Sequence, residues 1–170
     1  MIHLYWGAGK GKTTAAMGLA LRSAGRGGRV VIAQFLKGCN TGERLAFQRF
    51  PNVTLLPVPE KMPFLWNMGD GERRETAVFC QNLLAQAEQC LAEGCELLVL
   101  DELCAAVRTG LVASEEVSCL LDRVPPESDV VLTGRDPLPE WLRRADYCTE
   151  MRGLRHPYDC GIPARAGIEY

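Results

Sequence analysis

Gly7-Ala8-Gly9-Lys10-Gly11-Lys12-Thr13-Thr14 is the stretch on which the fold turns. An apolar segment, His3-Leu4-Tyr5-Trp6, precedes it and reads as a strand. Residues 13–23 follow with helical spacing and run out at Gly25, Gly27 and Gly28. Strand, glycine-rich turn and helix form the setting in which backbone N–H groups converge on an anion. The helix N-terminus adds partial positive charge there. In that setting the Lys12 ammonium reaches phosphate oxygens and the Thr13 hydroxyl ligates Mg2+. All eight residues from Gly7 to Thr14 are therefore candidate nucleotide-binding positions. The register is unusual. Counting back from Gly11, Trp6 stands where the common phosphate-loop pattern has its first glycine, and Gly7 and Gly9 supply glycine out of step with it.

Working outward, strand-like and helix-like segments alternate. Residues 30–35 are an apolar run of the kind buried on both faces, and residues 53–58 have strand character interrupted by Pro57. Residues 59–71 are broken by Pro59, Pro63, Gly69 and Gly71. They nonetheless carry Met62, Phe64, Leu65, Trp66 and Met68, so this segment is expected to cover something. Residues 72–93 predict a helix with Cys80, Leu84, Ala87 and Leu91 on one face. Residues 97–100 predict a strand, 115–123 a helix capped by Ser114, 130–133 a strand, 139–144 a short helix and 147–151 a last strand. The alternation predicts an α/β fold: a mostly parallel central sheet with helices on both faces. Without a repeat or linker, residues 1–170 read as one domain.

Composition narrows the function. The chain has 170 residues, 47% apolar and 24% charged, with a formal net charge of −2. It lacks the basic stripe of a nucleic-acid binder, and its apolar runs are far too short to span a membrane. Met1 leads almost directly into the first strand, which leaves no room for a secretory signal. None of the eight cysteines forms a Cys-x-x-Cys pair, and several fall in apolar stretches. They read as reduced, packed thiols in a cytoplasmic protein rather than as a disulfide framework or a metal cluster.

A second chemical signal is Asp101-Glu102, at the carboxyl end of the 97–100 strand. Ligands of open parallel sheets bind at that end, and a carboxylate there can hold Mg2+ directly or through water. Spacing does not decide which of the two does so.

From end to end these residues resemble the ATP:corrinoid adenosyltransferases of the CobA/BtuR type. The resemblance runs through residues 9–16 of the loop, Arg22, Gln34-Phe35-Leu36-Lys37-Gly38, Gly42-Glu43-Arg44 and Phe64-Leu65-Trp66. It continues through Val99-Leu100-Asp101-Glu102-Leu103, Thr133-Gly134-Arg135, Thr149-Glu150-Met151-Arg152, Arg155-His156-Pro157-Tyr158 and Gly167-Ile168-Glu169-Tyr170. It implies a RecA-like P-loop fold, a homodimer, and a loop that holds ATP in reversed polarity, so that the 5′ carbon faces the corrinoid. Co(I) then attacks that carbon and triphosphate leaves. By position, Lys12 and Thr13 bind triphosphate and Mg2+, Glu102 is the Mg2+ carboxylate, and Arg22 and Arg135 belong to the nucleotide site. Phe64 and Trp66 correspond to the aromatic pair that displaces the lower axial ligand of cob(II)alamin, which eases reduction by an electron-transfer partner such as a flavoprotein. Lys12, Glu102 and Arg135 are thus the expected catalytic residues.

The sequence departs from the family where Trp6 replaces a common threonine and Arg165 a common glutamine. Five residues precede Trp6, whereas some members carry an N-terminal extension over the corrinoid site. His156, beside Pro157, reads as a turn residue. Two readings compete: a RecA-like ATPase motor or switch, and a small-molecule kinase. The phosphate product separates all three.

Overall fold

The computed structural model describes residues 1–62 and 68–168. Its strands are β1 (Ile2–Trp6), β2 (Val30–Gln34), β3 (Val53–Leu55), β4 (Leu97–Asp101), β5 (Asp129–Gly134) and β6 (Tyr147–Glu150). Between them lie α1 (Lys12–Gly25), α2 (Gly42–Phe47), α3 (Asp70–Ala92), α4 (Leu103–Arg108), α5 (Ser114–Asp122) and α6 (Pro139–Arg144), and a 3-10 turn (Pro157–Cys160) follows β6. The six strands form one sheet in the order β3-β2-β4-β5-β1-β6, with every pairing parallel.

The apolar runs of β2 and β4 are buried throughout, and each divides its side chains between two cores. Val30, Ile32, Leu97, Val99 and Val131 face Ala16, Met17, Ala20 and Ala24 of α1. Val31, Ala33, Leu98, Leu100, Val130 and Leu132 face the other way, against Cys80, Leu83, Leu84 and Ala87 of α3 and residues of α4, α5 and α6. Small residues on α1 let it lie close to the sheet, so the loop that opens it sits at the sheet's carboxyl edge. This is the α/β, RecA-like arrangement expected, with β5 inserted between the loop strand β1 and the acidic strand β4.

The structure adds the short helices α2 and α4, which the sequence reading lacks, and differs from it in several details. The strand expected over 53–58 stops at Leu55, before Pro57. Ala113, not Ser114, is the N-cap of α5; the Ser114 hydroxyl bonds the Glu115 carboxylate instead. Helix α3 starts at Asp70 because Glu72 reaches back to accept the Gly69 N–H at 3.0 Å.

Candidate active site

Trp6 resolves the register of the loop. It closes β1, pairs with Gly134 and Glu150, and packs on the α3-side core. The turn itself begins at Gly7, whose φ of 108° is left-handed, and ends at Gly11, the N-cap of α1, with φ 110°. Neighbouring backbone presses on the turn. The Gly9 N–H donates to the Met151 carbonyl at 2.7 Å, and a Cβ at Gly9 would stand 2.7 Å from that oxygen and 2.8 Å from the Arg152 carbonyl carbon. The strand end after β6 therefore clamps the loop, and only glycine fits there. On the other side Gly134, with φ 154°, lies against Cys104 and turns the chain so that Arg135 reaches the cleft.

The loop floors a cleft of about 780 Å³. Ala8, Gly9, Lys10, Gly11, Lys12, Thr13 and Thr14 line it, facing Lys37, Glu43, Glu102 and Arg135. Gly7 lies behind this lining and donates its N–H to the carbonyls of Gly134 and Arg135, each at 3.2 Å. Lys12 is buried and its ammonium donates to the Gly9 carbonyl at 2.8 Å. Burial lowers its pKa, partly offset by the Glu102 carboxylate.

Behind Thr13 stands a polar cluster centred on Asp101, which has no exposed surface. Asp101 Oδ1 accepts from Thr13 Oγ1 at 2.9 Å and from Thr133 Oγ1 at 2.7 Å. Its Oδ2 accepts from Lys37 Nζ at 2.8 Å and from Gln34 Nε2 at 3.3 Å. A charge withdrawn from water is tolerated only with such company. Gln34 is held in turn by Arg44, whose guanidinium bonds its Oε1 at 3.2 Å and the Leu56 carbonyl at 3.0 Å.

Glu102 is placed differently. Its φ of 60° turns it away from the strand axis and into the cleft, and its N–H donates to Thr133 Oγ1 at 2.9 Å. Burial, with the neighbouring Asp101 charge, raises its pKa, while Lys37, Lys12 and Arg135 pull it back. The wall is thus predominantly cationic at its rim and holds hard oxygen donors at its base. That combination suits a polyphosphate.

Lys12, Thr13, Glu102 and Arg135 come together as the sequence anticipates. Arg22 does not join them: it is an exposed residue about 15 Å further along α1 and does not line the cleft. Phe64 and Trp66 lie outside the described residues. Sequence reasoning assigned no role to Lys37, although it lies in the Gln34-to-Gly38 stretch that carries the resemblance, and none in the cleft to the C-terminal segment. His156, read as a turn residue, lines the cleft with Ala164, Gly167 and Ile168, and the Lys10 ammonium donates to the Ile168 carbonyl. Residues 155–158 and 167–170 carry part of the resemblance, but nothing local in them signals this long-range return.

A parallel sheet, a glycine loop opening α1 and a buried carboxylate two strands away define a P-loop nucleotide-binding protein. Within that class the chain belongs to the ATP:corrinoid adenosyltransferases: residues 1–170 match the family described as ATP:corrinoid adenosyltransferase BtuR/CobO/CobP. It is similar to the corrinoid adenosyltransferase of Pseudomonas aeruginosa, 35% identical over 172 residues that span 100% of this chain and 83% of that protein. The corrinoid adenosyltransferase of Escherichia coli strain K12 is 34% identical, over 100% of this chain and 85% of its own length. Corrinoid adenosyltransferase CobA of Salmonella typhimurium is 34% identical with the same coverage, 100% and 85%.

Proposed function

We propose that this chain transfers the 5′-deoxyadenosyl group of ATP to the Co(I) of a corrinoid and releases inorganic triphosphate. The observation that carries the reading is the meeting of the glycine loop with the Asp101 cluster through Thr13, in a cationic cleft. Family membership supplies the reaction; the geometry supplies the means. The electron pair of Co(I) forms the Co–C5′ bond, the C5′–O bond breaks, and triphosphate leaves with that bond's electrons. The nucleophile belongs to the substrate, so the chain's tasks are positioning and stabilising the leaving group.

The first-turn N–H groups of α1 bind phosphate oxygens. Lys12 moves its ammonium from the Gly9 carbonyl onto the triphosphate. Arg135, on the opposite wall, adds a second charge and orients the same group. The Thr13 hydroxyl and the Asp101 and Glu102 carboxylates are hard oxygen donors, which fits Mg2+. Among the described residues no three His, Cys, Asp or Glu side chains form a metal cage, so nucleotide oxygens would complete the shell. Thr13 and Glu102 would hold Mg2+ directly, with Asp101 fixing Thr13. When bound, Mg2+ screens the triphosphate charge and makes it a better leaving group.

The reading extends to residues 1–170 acting as one catalytic unit, in a homodimer, in the cytoplasm, served by a reductase such as a flavoprotein. Among the described residues no disulfide forms and no helix is long and apolar enough to cross a membrane. Phe64 and Trp66 are assigned to the corrinoid on the strength of the family resemblance. Arg22 is retained as a nucleotide-site residue only on that resemblance. The test is incubation with ATP, Mg2+ and chemically reduced cobalamin. The expected result is a light-sensitive cobalt–carbon spectrum with one triphosphate per adenosyl group. ATP turned over to diphosphate and phosphate, without that spectrum, would instead identify a hydrolytic ATPase.

A further inference from the structure

Lys37 stands in the turn after β2. Leu36 immediately before it holds φ 56°, a left-handed conformation that a bulky residue keeps only when its surroundings enforce it. That backbone delivers the Lys37 ammonium to 2.8 Å from Asp101 Oδ2, 3.0 Å from Thr13 Oγ1 and 3.9 Å from Glu43 Oε1. Thr13 and the strand-end carboxylate are the groups a phosphate loop presents to Mg2+. The Thr13 oxygen already donates to Asp101 Oδ1 and accepts from Lys37. A Mg2+ bonded to that oxygen would sit about 2.0–2.1 Å from it, within a few ångströms of the ammonium. Two cations that close repel strongly in a half-buried site.

We propose that Lys37 is a mobile cation that competes with Mg2+ for the oxygens of Thr13 and Asp101. When Mg2+ and ATP arrive, its ammonium passes to the triphosphate and joins Lys12 in neutralising the leaving group. The four-carbon stem allows the ammonium to move while the backbone stays in place. The side chain is 23% exposed on the cleft side, whereas Asp101 is 0% exposed, so the lysine is the mobile member of the pair. The exchange leaves Asp101 with a counter-cation in both states, as a carboxylate withdrawn from water requires. It also makes metal and nucleotide entry cooperative, because each favours the lysine position that admits the other.

The inference rests on the nucleotide half of the proposed function and not on the corrinoid chemistry. Nucleotide-free protein is titrated with Mn2+, with the free ion read by electron paramagnetic resonance. Metal-free protein is titrated separately with tripolyphosphate by calorimetry. Lys37→Met is expected to bind Mn2+ about tenfold more tightly and tripolyphosphate about tenfold more weakly than the native chain. Lys37→Arg keeps tripolyphosphate binding within about threefold. Lys37→Gln, whose amide can still donate to Asp101, replaces the Met variant if that one does not fold. Unchanged or weaker Mn2+ binding, or unchanged tripolyphosphate binding, in the neutral variants reduces Lys37 to a structural counter-ion and overturns the proposal. A native chain that makes no adenosylated corrinoid, but whose variants show the two opposite shifts, would overturn the proposed function and leave this inference standing.

Discussion

Asp101 and Glu102 are neighbours in sequence with opposite surroundings. Asp101 is enclosed and accepts from Thr13, Thr133, Lys37 and Gln34. Glu102 faces the cleft, and burial beside Asp101 disfavours its charge. Asp101→Asn turns one acceptor oxygen into a donor that faces other donors and takes from Lys37 its nearest counter-charge. Breaking a buried ion pair in this way costs about 3 kcal/mol, so we expect a loss of that order in urea unfolding. Glu102→Gln behaves otherwise. Because the folded pKa is raised, the native charge carries a cost that is absent in acid. The cost sets in as pH rises through the window just above the ordinary carboxylate value. Gln has no such cost, so stability at neutral pH is held or gained, while the Mg2+ concentration needed for half-maximal turnover rises. Equal destabilisation by both substitutions would remove Asp101 from the centre of the cluster.

Elements were legible where hydrophobic pattern and length agree. The runs that form β2, β4 and β5 are buried as read, and the repeat through Cys80, Leu84, Ala87 and Leu91 places α3. Helices α2 and α4 were not read. Each has six residues, too few for a period to emerge, and neither starts on a proline as the equally short α6 does. Helix α2 opens on Gly42 and buries Arg44 rather than an apolar residue alone, and α4 follows directly on left-handed Glu102. The nucleotide loop was legible because its chemistry is local. The roles of Lys37 and Ile168 were not, although both lie in stretches that carry the family resemblance, because what brings them to the loop is tertiary. The segment between β3 and α3, with Phe64 and Trp66, belongs to this scale. If the pair excludes the lower axial ligand and so eases reduction of Co(II), its work ends once Co(I) exists. Phe64→Ala with Trp66→Ala should then lose most activity from cob(II)alamin with a mild protein reductant, and keep far more from chemically generated Co(I). Equal losses from both starting states would assign the pair to simple corrinoid binding or packing.

Across the whole molecule, the sheet separates chemistry at its carboxyl edge from two cores that contain none of it. The thiols report on that separation. Cys80, Cys95 and Cys104 are buried, Cys90 is half-buried, and Cys39, Cys119, Cys148 and Cys160 are exposed. Burial pushes the first two from an ordinary value of 9.0 up to about 11 and Cys104 up to about 12. The sign follows. Below pH 9 these thiols are protonated whether the chain is folded or not, and they leave stability unaffected. Above it the unfolded chain releases their protons while the folded chain keeps them. Stability therefore falls as pH rises from about 9 toward 11–12, by up to about 1.4 kcal/mol per pH unit for each thiol. Three together, one unit above 9, approach about 4 kcal/mol, a large part of the roughly 5–15 kcal/mol that holds a domain folded. Two measurements check this. At pH 8 a thiol reagent should label the four exposed cysteines quickly and the three buried ones only at the rate of global unfolding. Urea midpoints should fall steeply from pH 9 to 10.5. The Cys80→Ala, Cys95→Ala, Cys104→Ala variant should start less stable at pH 7.5, because three packed side chains are shortened, yet lose less over the alkaline range. Rapid labelling of all three in the native chain would mean that the α3-side core opens without global unfolding, and an alkaline slope identical in the variant would mean that other groups set it.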